Sequence, residues 1–532
     1  MRQELRDPEV AYRRRWLTLL VLCVSLMVIG LDNTILNVAI PTLSRSLHAS
    51  TSQLQLIVDG YTIVFAGLLL TAGSLGDRFG RYKALAFGLA VFGVGSASSA
   101  FATSPSLLIA TRAFMGIGGA FIMPATLSII TNVFTDPIER GKAIGLWAGV
   151  SALGIGVGPV AGGFLLSHFW WGSVFLVNVP VVAIGLLGGW FLVPDSRDPS
   201  APPLDPMGAL LSIVGLGTLL YGVIEGPDYG WSSTRIVTSF VIGAVVFGAF
   251  VVWELRSSHP MLEIRFFENP RFTAASGALT LTFLSLFGSL FLLTQYLQSV
   301  LGFSALKAGA VLLPQAGVMV IFAPASSGFV RRVGNKVVVG IGLLVVAAAL
   351  SLFGLMGTHT AMWQVMIGTM VLGLGMANVM APATDSIMGS LPREKAGVGS
   401  AMNDTTRQTG GAVGVAVLGS VLSSRYAAGV RSAGSAAHLP APVVAILKTN
   451  VGRAVGFAHS PAAGAFGHTA LTISRDAYVS AFHTANYVAA GIMVLAAVGV
   501  GRFLPARPAE AVRPAAADAR EPRGVPVAAL EG

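Results

Sequence analysis

The sequence predicts an all-α integral membrane protein with fourteen transmembrane helices. Apolar residues make up 54% of the 532 positions and charged residues only 11%, whereas a soluble protein carries about 25% charge. The mean hydropathy of +0.74 agrees with this balance. Fourteen apolar runs are each long enough to cross a bilayer core as a helix of about 20 residues. These observations exclude a soluble enzyme, a nucleic-acid-binding protein and a disordered chain, and the single cysteine, Cys23, excludes an internal disulfide.

Charged residues, proline and clustered glycine delimit the runs in the first part of the chain. The first run follows Arg13–Arg15, as a signal peptide would, but it is too long for one and contains Asp32. We therefore expect it to remain as the first span. The predicted segments are 16–40, 54–75, 84–102, 107–130, 142–166, 173–193, 207–226 and 236–255.

The remaining runs are delimited in the same way. The predicted segments are 273–297, 308–327, 337–357, 362–387, 398–421 and 480–503. The run 398–421 is less uniformly apolar, because it contains Asp404 and Arg407. Polar and basic residues within 441–458 predict a surface helix or loop there, so we expect a long loop over 422–479.

Lysine and arginine predict the orientation of the chain. With an even number of spans both termini share one side, and the short loops on that side carry nineteen Lys and Arg against three opposite. Such an excess marks the cytoplasm. We therefore expect a cytoplasmic N-terminus over residues 1–15, an extracellular loop over 422–479 and a disordered cytoplasmic tail over 504–532. The prevalence of Arg, Ala, Gly and Val is typical of a GC-rich bacterial genome.

Two similar turns indicate an internal repeat. GSLGDRFGRYK (73–83) follows span 2, and GFVRRVGNK (328–336) follows span 10. Six spans flank each side when spans 7 and 8 are set aside. The predicted organisation is a six-helix bundle over 16–193, a linker with two spans over 194–272 and a second six-helix bundle over 273–503. Such repeats are common in transporters, which bind substrate between them near the midplane.

Several motifs resemble those of the major facilitator superfamily, and in particular its fourteen-helix drug:proton antiporter-2 family. The turn 73–83 resembles the superfamily signature, with Tyr82 in place of the usual basic residue. The other motifs are GIGVGPVAGG (154–163), similar to the antiporter motif; LIATRAFMGIGGA (108–120), similar to the span-4 motif; and LDNTILNVAIP (31–41) and GSAMNDTTRQTGGAVGVAVLG (399–419), similar to the antiporter-2 family. The resemblance covers the chain apart from the tail and the loop 422–479. It implies two pseudo-two-fold related bundles that exchange an amphipathic drug or an antibiotic for protons.

Asp32 and Arg112 are charged residues within predicted spans, where an ionisable group is costly and a functional candidate. Asp32 either exchanges a proton or makes a structural hydrogen bond near the outer end of its helix. Arg112 either pairs with a carboxylate or reaches water from near its helix end. The resemblance places spans 1 and 4 side by side, which implies an Arg112–carboxylate contact that switches with protonation.

Asp59 and Glu225 are two further acids near the outer ends of their spans. Asp59 begins span 2 in VDGYTIVFAG, where it either faces the bundle or lies at the outer interface. Glu225 in YGVIEGPDYGW has the same two alternatives. The resemblance favours a coupling or substrate-binding role for both.

The loop acid Asp77 is a candidate for gating. The resemblance implies that it approaches the start of span 13 near Gly399–Ser400, where helix N–H groups attract an anion. The alternative is a local salt bridge with Arg78 or Arg81. The residues of this motif are Gly73, Asp77, Arg78, Gly80 and Arg81.

Span 5 carries a stripe of small residues. Gly154, Gly158 and Gly162 are spaced by four and share one helix face, which allows close helix contact. Pro159 removes one hydrogen bond of the helix, and Gly163 completes the motif. Close packing alone explains this stripe, and an antiport role comes from the resemblance only.

Asp404 and Arg407 are three residues apart in span 13, so they can pair on one helix face. They either neutralise each other or take part in transport or gating. Phe283, Phe287, Phe291, Tyr296 and Phe322 either line a drug pocket or pack against helices and lipid.

The sequence lacks the motifs of metal sites, nucleotide sites and catalytic centres. We therefore expect no enzyme activity, no metal and no cofactor, and a proton gradient as the energy source. The expected partners are a small amphipathic substrate, protons and the lipid bilayer, with no nucleic acid and a monomeric chain. Two alternatives remain open: a dedicated self-resistance exporter of one natural product, and a proton-coupled importer.

Overall fold

The computed structural model describes residues 8–47, 51–197, 205–258, 260, 262, 264–392 and 395–504. Helices and their connections account for this described part, which contains no β-strand. Fourteen of its helices are long and apolar enough to cross a membrane. The prediction of an all-α protein with fourteen spans is confirmed. The expected tail falls, apart from Leu504, outside the described residues.

The fourteen long helices are numbered in chain order. They are α1 (Arg15–Leu47), α2 (Thr51–Phe79), α3 (Arg81–Ala100), α4 (Pro105–Val133), α5 (Pro137–His168), α6 (Asn178–Leu192), α7 (Pro206–Tyr229), α8 (Thr234–Arg256), α9 (Pro270–Gln295), α10 (Leu313–Val333), α11 (Asn335–Phe353), α12 (Met362–Gly389), α13 (Ala396–Ala436) and α14 (Gly467–Phe503). Short helical turns connect some of them: Pro8–Arg13, Ser173–Leu176, Ile264–Glu268, Tyr296–Val300, Ala305–Ala310, Ala441–Leu447, Val451–Ala458 and Pro461–Phe466.

Capping residues fix where several helices begin. The side chains of Ser104, Asp136, Asp205 and Asn269 each accept a hydrogen bond from a backbone N–H of the first turn. Each is followed directly by proline, which lacks the N–H that would otherwise be unsatisfied there. The apolar runs therefore start as helices at defined residues.

Helix contacts divide the chain into two equivalent bundles. In the first bundle α1 packs on α5 and α6, and α4 packs on α2 and α3. In the second bundle α9 packs on α13 and α14, and α12 packs on α10 and α11. The two sets of contacts correspond when α1–α6 are matched to α9–α14, which is the predicted arrangement of six, two and six helices.

The bundles meet through a second set of equivalent contacts. Helix α5 packs against α10 and α12 of the other bundle, and α13 packs against α2 and α4. The additional helices α7 and α8 pair with each other, and α7 lies against α2 and α13. Helices α5 and α13 therefore form the centre of the molecule.

The predicted long loop over 422–479 is much shorter in the structure. Helices α13 and α14 are 41 and 37 residues long, and a helix of 41 residues spans about 60 Å, well beyond a bilayer core. The connection between them is 437–466, with short helices at Ala441–Leu447 and Val451–Ala458. The prediction was wrong because Tyr426, Val430 and Tyr478 are buried between the helices, so packing continues where the apolar run ends.

Candidate functional site

Asp32 and Arg112 form a buried ion pair between α1 and α4. Arg112 Nη1 lies 2.5 Å from Asp32 Oδ2, and the side chains are each only 1% exposed. Asp32 lies seventeen residues after the start of α1, which is roughly 25 Å along the helix. The structure thus contains an Arg112–carboxylate contact between spans 1 and 4, as the resemblance implied. The alternative in which Arg112 extends to water does not match this geometry.

Polar and aromatic groups surround this ion pair. Arg112 Nε donates to the backbone oxygen of Ile57 at 3.1 Å, and its guanidinium lies 4.5 Å from the centre of the Tyr61 ring. On the other side, Asn178 Nδ2 donates to Asp32 Oδ1 at 3.3 Å and to Ser96 Oγ at 3.1 Å. The deprotonated carboxylate therefore has a donor on each oxygen.

The structure describes the surroundings of the two other predicted outer acids in less detail. The side chain of Asp59 lies outside the described residues. Glu225 is 2% exposed in α7, and one turn earlier the Tyr221 ring centre lies 5.3 Å from the Arg235 guanidinium. The coupling roles of Asp59 and Glu225 stay predictions.

Asp77 connects the two bundles at the opposite end of α2. Its carboxylate accepts hydrogen bonds from the backbone N–H of Gly397 at 2.8 and 2.9 Å and of Val398 at 3.1 Å. It also pairs with Arg81 at 2.8 Å. Both sequence alternatives are therefore present together, and the α13 contact lies slightly earlier than the expected Gly399–Ser400. We call Asp77, Gly397 and Val398 the Asp77 latch.

The glycines of the predicted gating motif allow these contacts. A Cβ on Gly73 would lie 2.6 Å from the Gly397 backbone oxygen. Gly80 has φ +121°, a region that favours glycine, and its Cα faces the Asp195 carboxylate. Arg78 is half-buried at the end of α2, with its guanidinium 5.8 Å from the Phe79 ring.

A second link joins the bundles at the same end of the molecule. Arg140 in α5 pairs with Asp385 in α12, with Nε and Oδ1 2.9 Å apart. This pairing was not identified from the sequence. Charges near span ends are common, and spacing along the chain gives no sign that these two meet.

The small-residue stripe of α5 packs against α1. A Cβ on Gly154 would lie 3.3 Å from the Gly30 Cα, and one on Gly158 would overlap the Thr34 hydroxyl. Gly162 faces Ile35 of the same helix. Pro159 and Gly163 are on the other face, against Gly309 and Leu306 that precede α10. The expected close contact is present, and it couples α5 to the helix that carries Asp32.

A cavity of about 40 Å³ lies between α5 and the second bundle. Its lining is mostly apolar, with side chains from α5, α9, α10, α12 and α13. The lining residues are Ser151, Gly156, Phe283, Leu286, Leu290, Leu312, Gln315, Ala316, Met319, Met376, Met380 and Arg407. Its apolar walls with few polar groups are typical of small-molecule sites.

Arg407 supplies the positive charge of this cavity. Its Nη1 lies 3.5 Å from Asp404 Oδ1, and the two side chains are 6% and 0% exposed. The guanidinium lies over the rings of Trp147 and Phe283, at 5.1 and 4.7 Å from their centres. The predicted pairing of Asp404 and Arg407 is present, and its arginine lines the cavity.

Of the five aromatic residues considered from the sequence, only Phe283 lines this cavity. Tyr296 is buried and donates to the backbone oxygen of Gly357, whereas Phe291 and Phe322 are exposed. Within the described residues, no three His, Cys, Asp or Glu side chains are grouped so that they could hold a metal ion. The buried carboxylates are groups that can exchange protons, and the apolar cavity can bind an apolar molecule.

The sequence matches the model of the Major Facilitator Superfamily over residues 22–415. It is 37% identical over 488 residues to the multidrug efflux pump LfrA of Mycolicibacterium smegmatis, covering 92% of this chain and 96% of the relative. It is 35% identical to the tetracenomycin C resistance and export protein of Streptomyces glaucescens over 77% of each chain. It is 34% identical to the methyl viologen resistance protein SmvA of Salmonella typhimurium, covering 92% of this chain and 98% of the relative.

Two solved structures share the fold. The proton:xylose symporter XylE superposes with a TM-score of 0.59 at 13% identity, over 92% of this chain and 96% of that one. The human organic anion transporter MFSD10 superposes with a TM-score of 0.55 at 14% identity, over 93% and 99%. At these identities the likeness concerns the fold alone.

Proposed function

The chain belongs to the major facilitator superfamily, and from this membership we propose that it is a proton-driven exporter of amphipathic drugs or an antibiotic. The observation that carries the proposal is the buried Asp32–Arg112 ion pair. An arginine keeps its charge under all conditions in proteins, so the aspartate is the partner that can gain a proton. The names of the relatives as efflux and resistance proteins support the direction of transport.

Protonation of Asp32 would act on helix packing as follows. A neutral Asp32 no longer forms an ion pair with Arg112, so the contact between α1 and α4 weakens. Helix α1 packs through Gly30 and Thr34 on the α5 stripe, and α5 also lines the cavity through Ser151 and Gly156. A shift of α1 is therefore transmitted to the cavity by direct helix contact. The Asp77 latch, at the other end of α2, must open when the cavity is exposed to that side.

The orientation and energy source are part of the same proposal. The excess of Lys and Arg places both termini and the Asp77 latch on the cytoplasmic side. Protons move inward down their gradient while cargo leaves, with no bound cofactor. One chain contains both bundles and the cavity between them, so we propose a monomer in a bacterial plasma membrane.

A dedicated self-resistance exporter is the second candidate. Two relatives are named for a single antibiotic: the tetracenomycin C resistance and export protein, and the methylenomycin A resistance protein of Bacillus subtilis, which is 34% identical. A susceptibility panel in a pump-deleted host separates the candidates, because a dedicated exporter protects against one compound class only. The xylose symporter shares only the fold, so it gives no support for import.

Purified protein in liposomes with an entrapped pH dye tests the proton coupling. Imposing a cargo gradient should change the luminal pH in the wild type, and Asp32→Asn should abolish this change because it cannot exchange a proton. Asp476→Asn, an exposed aspartate on α14, is the matched control and should behave like the wild type. Measurable cargo flux without any pH change would contradict proton coupling, and normal exchange by Asp32→Asn would contradict the assignment of the proton site.

A further inference from the structure

The guanidinium of Arg407 reaches the cavity with part of its hydrogen-bonding capacity unused. Neither Nε nor Nη1 has a hydrogen-bond partner among the described residues, and the residue is 5% exposed. The nearest carboxylate oxygen, Asp404 Oδ1, lies 3.5 Å from Nη1, which is long for a charge-assisted hydrogen bond. Buried donors without partners are destabilising, so a ligand that supplies an acceptor would gain from them.

The plane of the guanidinium is fixed by its neighbours. Trp147 and Phe283 contact it through their rings, and Trp147 is fully buried, with its Nε1 held by the Thr126 hydroxyl at 3.1 Å. A planar guanidinium held in this way presents its donors in one direction. Arg407 is therefore preorganised for an acceptor group in the cavity.

The rest of the cavity wall favours a flat apolar body. Phe283, Met319, Met376 and Met380 line it, and methionine adapts to aromatic rings through its polarisable sulfur. None of the described lining residues is acidic. A cationic ligand would therefore meet the Arg407 guanidinium at the wall, while the Asp404 carboxylate paired with it is not part of the lining.

The position of Arg407 suits a transport site. It lies eleven residues into α13, roughly 16 Å from the helix start, a distance of about half the thickness of a bilayer core of about 30 Å. Helix α13 packs against helices of both bundles. A ligand held by Arg407 would contact the parts of the molecule that move relative to each other.

We propose that this cavity binds planar aromatic molecules that carry a hydrogen-bond acceptor or an anionic group, and that Arg407 determines this specificity. The inference rests on the proposed export function, because it names the class of cargo for the same molecule. Asp404 limits the affinity, since its carboxylate competes with the ligand for the guanidinium.

Two probes of similar ring size and opposite charge test the inference on the full-length protein in detergent. They are anthraquinone-2-sulfonate, an anion with acceptor oxygens, and 9-aminoacridine, a cation. Calorimetric titration should show anthraquinone-2-sulfonate bound at least tenfold more tightly. Arg407→Gln should weaken its binding at least tenfold and leave 9-aminoacridine unchanged or tighter, and Arg407→Lys should fall between. Arg425→Gln, an exposed arginine on the same helix, is the control and should change neither.

Asp404→Asn gives a test that a folding defect cannot imitate, because it predicts a gain. Removing the competing carboxylate should tighten anthraquinone-2-sulfonate binding severalfold, and this result holds even if Arg407→Gln yields no folded protein. Equal weakening of both probes by Arg407→Gln, or no gain in Asp404→Asn, would overturn the proposal.

The same probes separate this proposal from the export function. Selective binding of the anion without proton movement in liposomes would retain the binding site and reject proton-coupled export. Proton-coupled flux of 9-aminoacridine that does not depend on Arg407 would retain the exporter and reject the specificity.

Discussion

Burial of the Asp32 carboxylate and the Arg112 guanidinium removes two charges from water, at a cost of several kcal/mol per ion. Their mutual attraction offsets this only with good geometry and additional hydrogen bonds. Ile57 and Asn178 supply such bonds to the arginine and the aspartate, respectively. Removing one charge would leave the other buried and uncompensated, so separating the two side chains is costly while both are ionised.

Asn178 is predicted to position the carboxylate of Asp32. Replacing Asn178 with Leu removes a donor to a charged group, worth about 1.5–3 kcal/mol, and should slow proton-coupled export by roughly tenfold or more. Initial rates in liposomes measure this, and Asn178→Gln, which keeps an amide, should recover part of the rate. A leucine variant with the wild-type rate would show that Asn178 serves packing alone.

The charged members of this site were recognisable from the sequence, and their polar neighbours were not. Asp32 and Arg112 interrupt apolar runs, where a charge is rare and costly. Asn178 and Ser96 are ordinary polar residues near helix ends, and their direction depends on how the helices turn against each other. The same reason hid Trp147, whose contact with Arg407 exists only after the two bundles have come together.

At the level of helices, the closest approach of α2 and α13 depends on two glycines. A Cβ on Gly73 or Gly397 would lie 2.6 or 2.5 Å from the backbone oxygen of the other, and overpacking of this kind costs about 1–3 kcal/mol. Opening at this end removes the clash. Larger side chains at these positions therefore disfavour the state in which the Asp77 latch is closed.

Gly73→Ala is predicted to shift the protein towards states that are open at the Asp77 end. In a Cys23→Ser background, a cysteine at the cavity residue Ser151 should react severalfold faster with a membrane-impermeant thiol reagent applied from that end. Gly76→Ala on the same helix is the control, because its Cβ would lie 3.4 Å from the Ala84 Cβ. Equal labelling of the two alanine variants would argue against a role for the glycine contact in closure.

The packing of α5 predicts that its two faces differ in how well they tolerate alanine in place of glycine. Gly158→Ala would overlap the Thr34 side chain on α1, whereas a Cβ on Gly163 would lie 3.4 Å from the flexible Leu306 side chain. We expect Gly158→Ala to lower the amount of folded protein and the transport rate, and Gly163→Ala to be tolerated. Size-exclusion yield and liposome rates measure the two effects, and full tolerance of Gly158→Ala would refute close packing as the reason for the stripe.

Helix ends show what an apolar run can and cannot predict. Hydropathy located all fourteen spans, because every backbone polar group in a membrane must be satisfied within a helix. It missed the long extensions of α13 and α14, which carry polar residues such as Arg425 on one face and bury Tyr426 on the other. There the helix is maintained by contact with its neighbour, a property of the folded pair that a sliding hydropathy average does not contain.

Across the whole molecule the two bundles have equivalent helix contacts but different charges at the Asp77 end. The last turn of α2 contains Asp77, whereas the last turn of α10 contains Arg331 and Arg332. One link therefore joins α2 to α13 through Asp77, and another joins α5 to α12 through Arg140 and Asp385. Both must separate before the cavity can open at this end, which makes opening a movement of one bundle against the other.

The charge of the cargo sets the driving force available to this movement. One pH unit is worth about 1.4 kcal/mol, and one charge crossing 100 mV about 2.3 kcal/mol. When one proton is exchanged per cargo molecule, export of a neutral cargo is driven by the pH gradient and by the voltage acting on one charge. A monovalent cation makes the exchange electroneutral and uses the pH gradient alone. A monovalent anion moves two charges per cycle, so the voltage counts twice.

Voltage steps at a fixed pH gradient should therefore separate the three kinds of cargo. Since a tenfold change corresponds to about 59 mV per charge, a step of that size should change the steady-state gradient of a neutral cargo about tenfold and that of anthraquinone-2-sulfonate about a hundredfold. The gradient of 9-aminoacridine, where it is carried, should not respond. Potassium diffusion potentials across liposomes supply the steps, and dye-free liposomes lacking protein correct for passive leak. An equal response of the anion and the cation would exclude a one-to-one exchange. The two cargoes would then have to be exchanged for different numbers of protons in order to move the same charge per cycle.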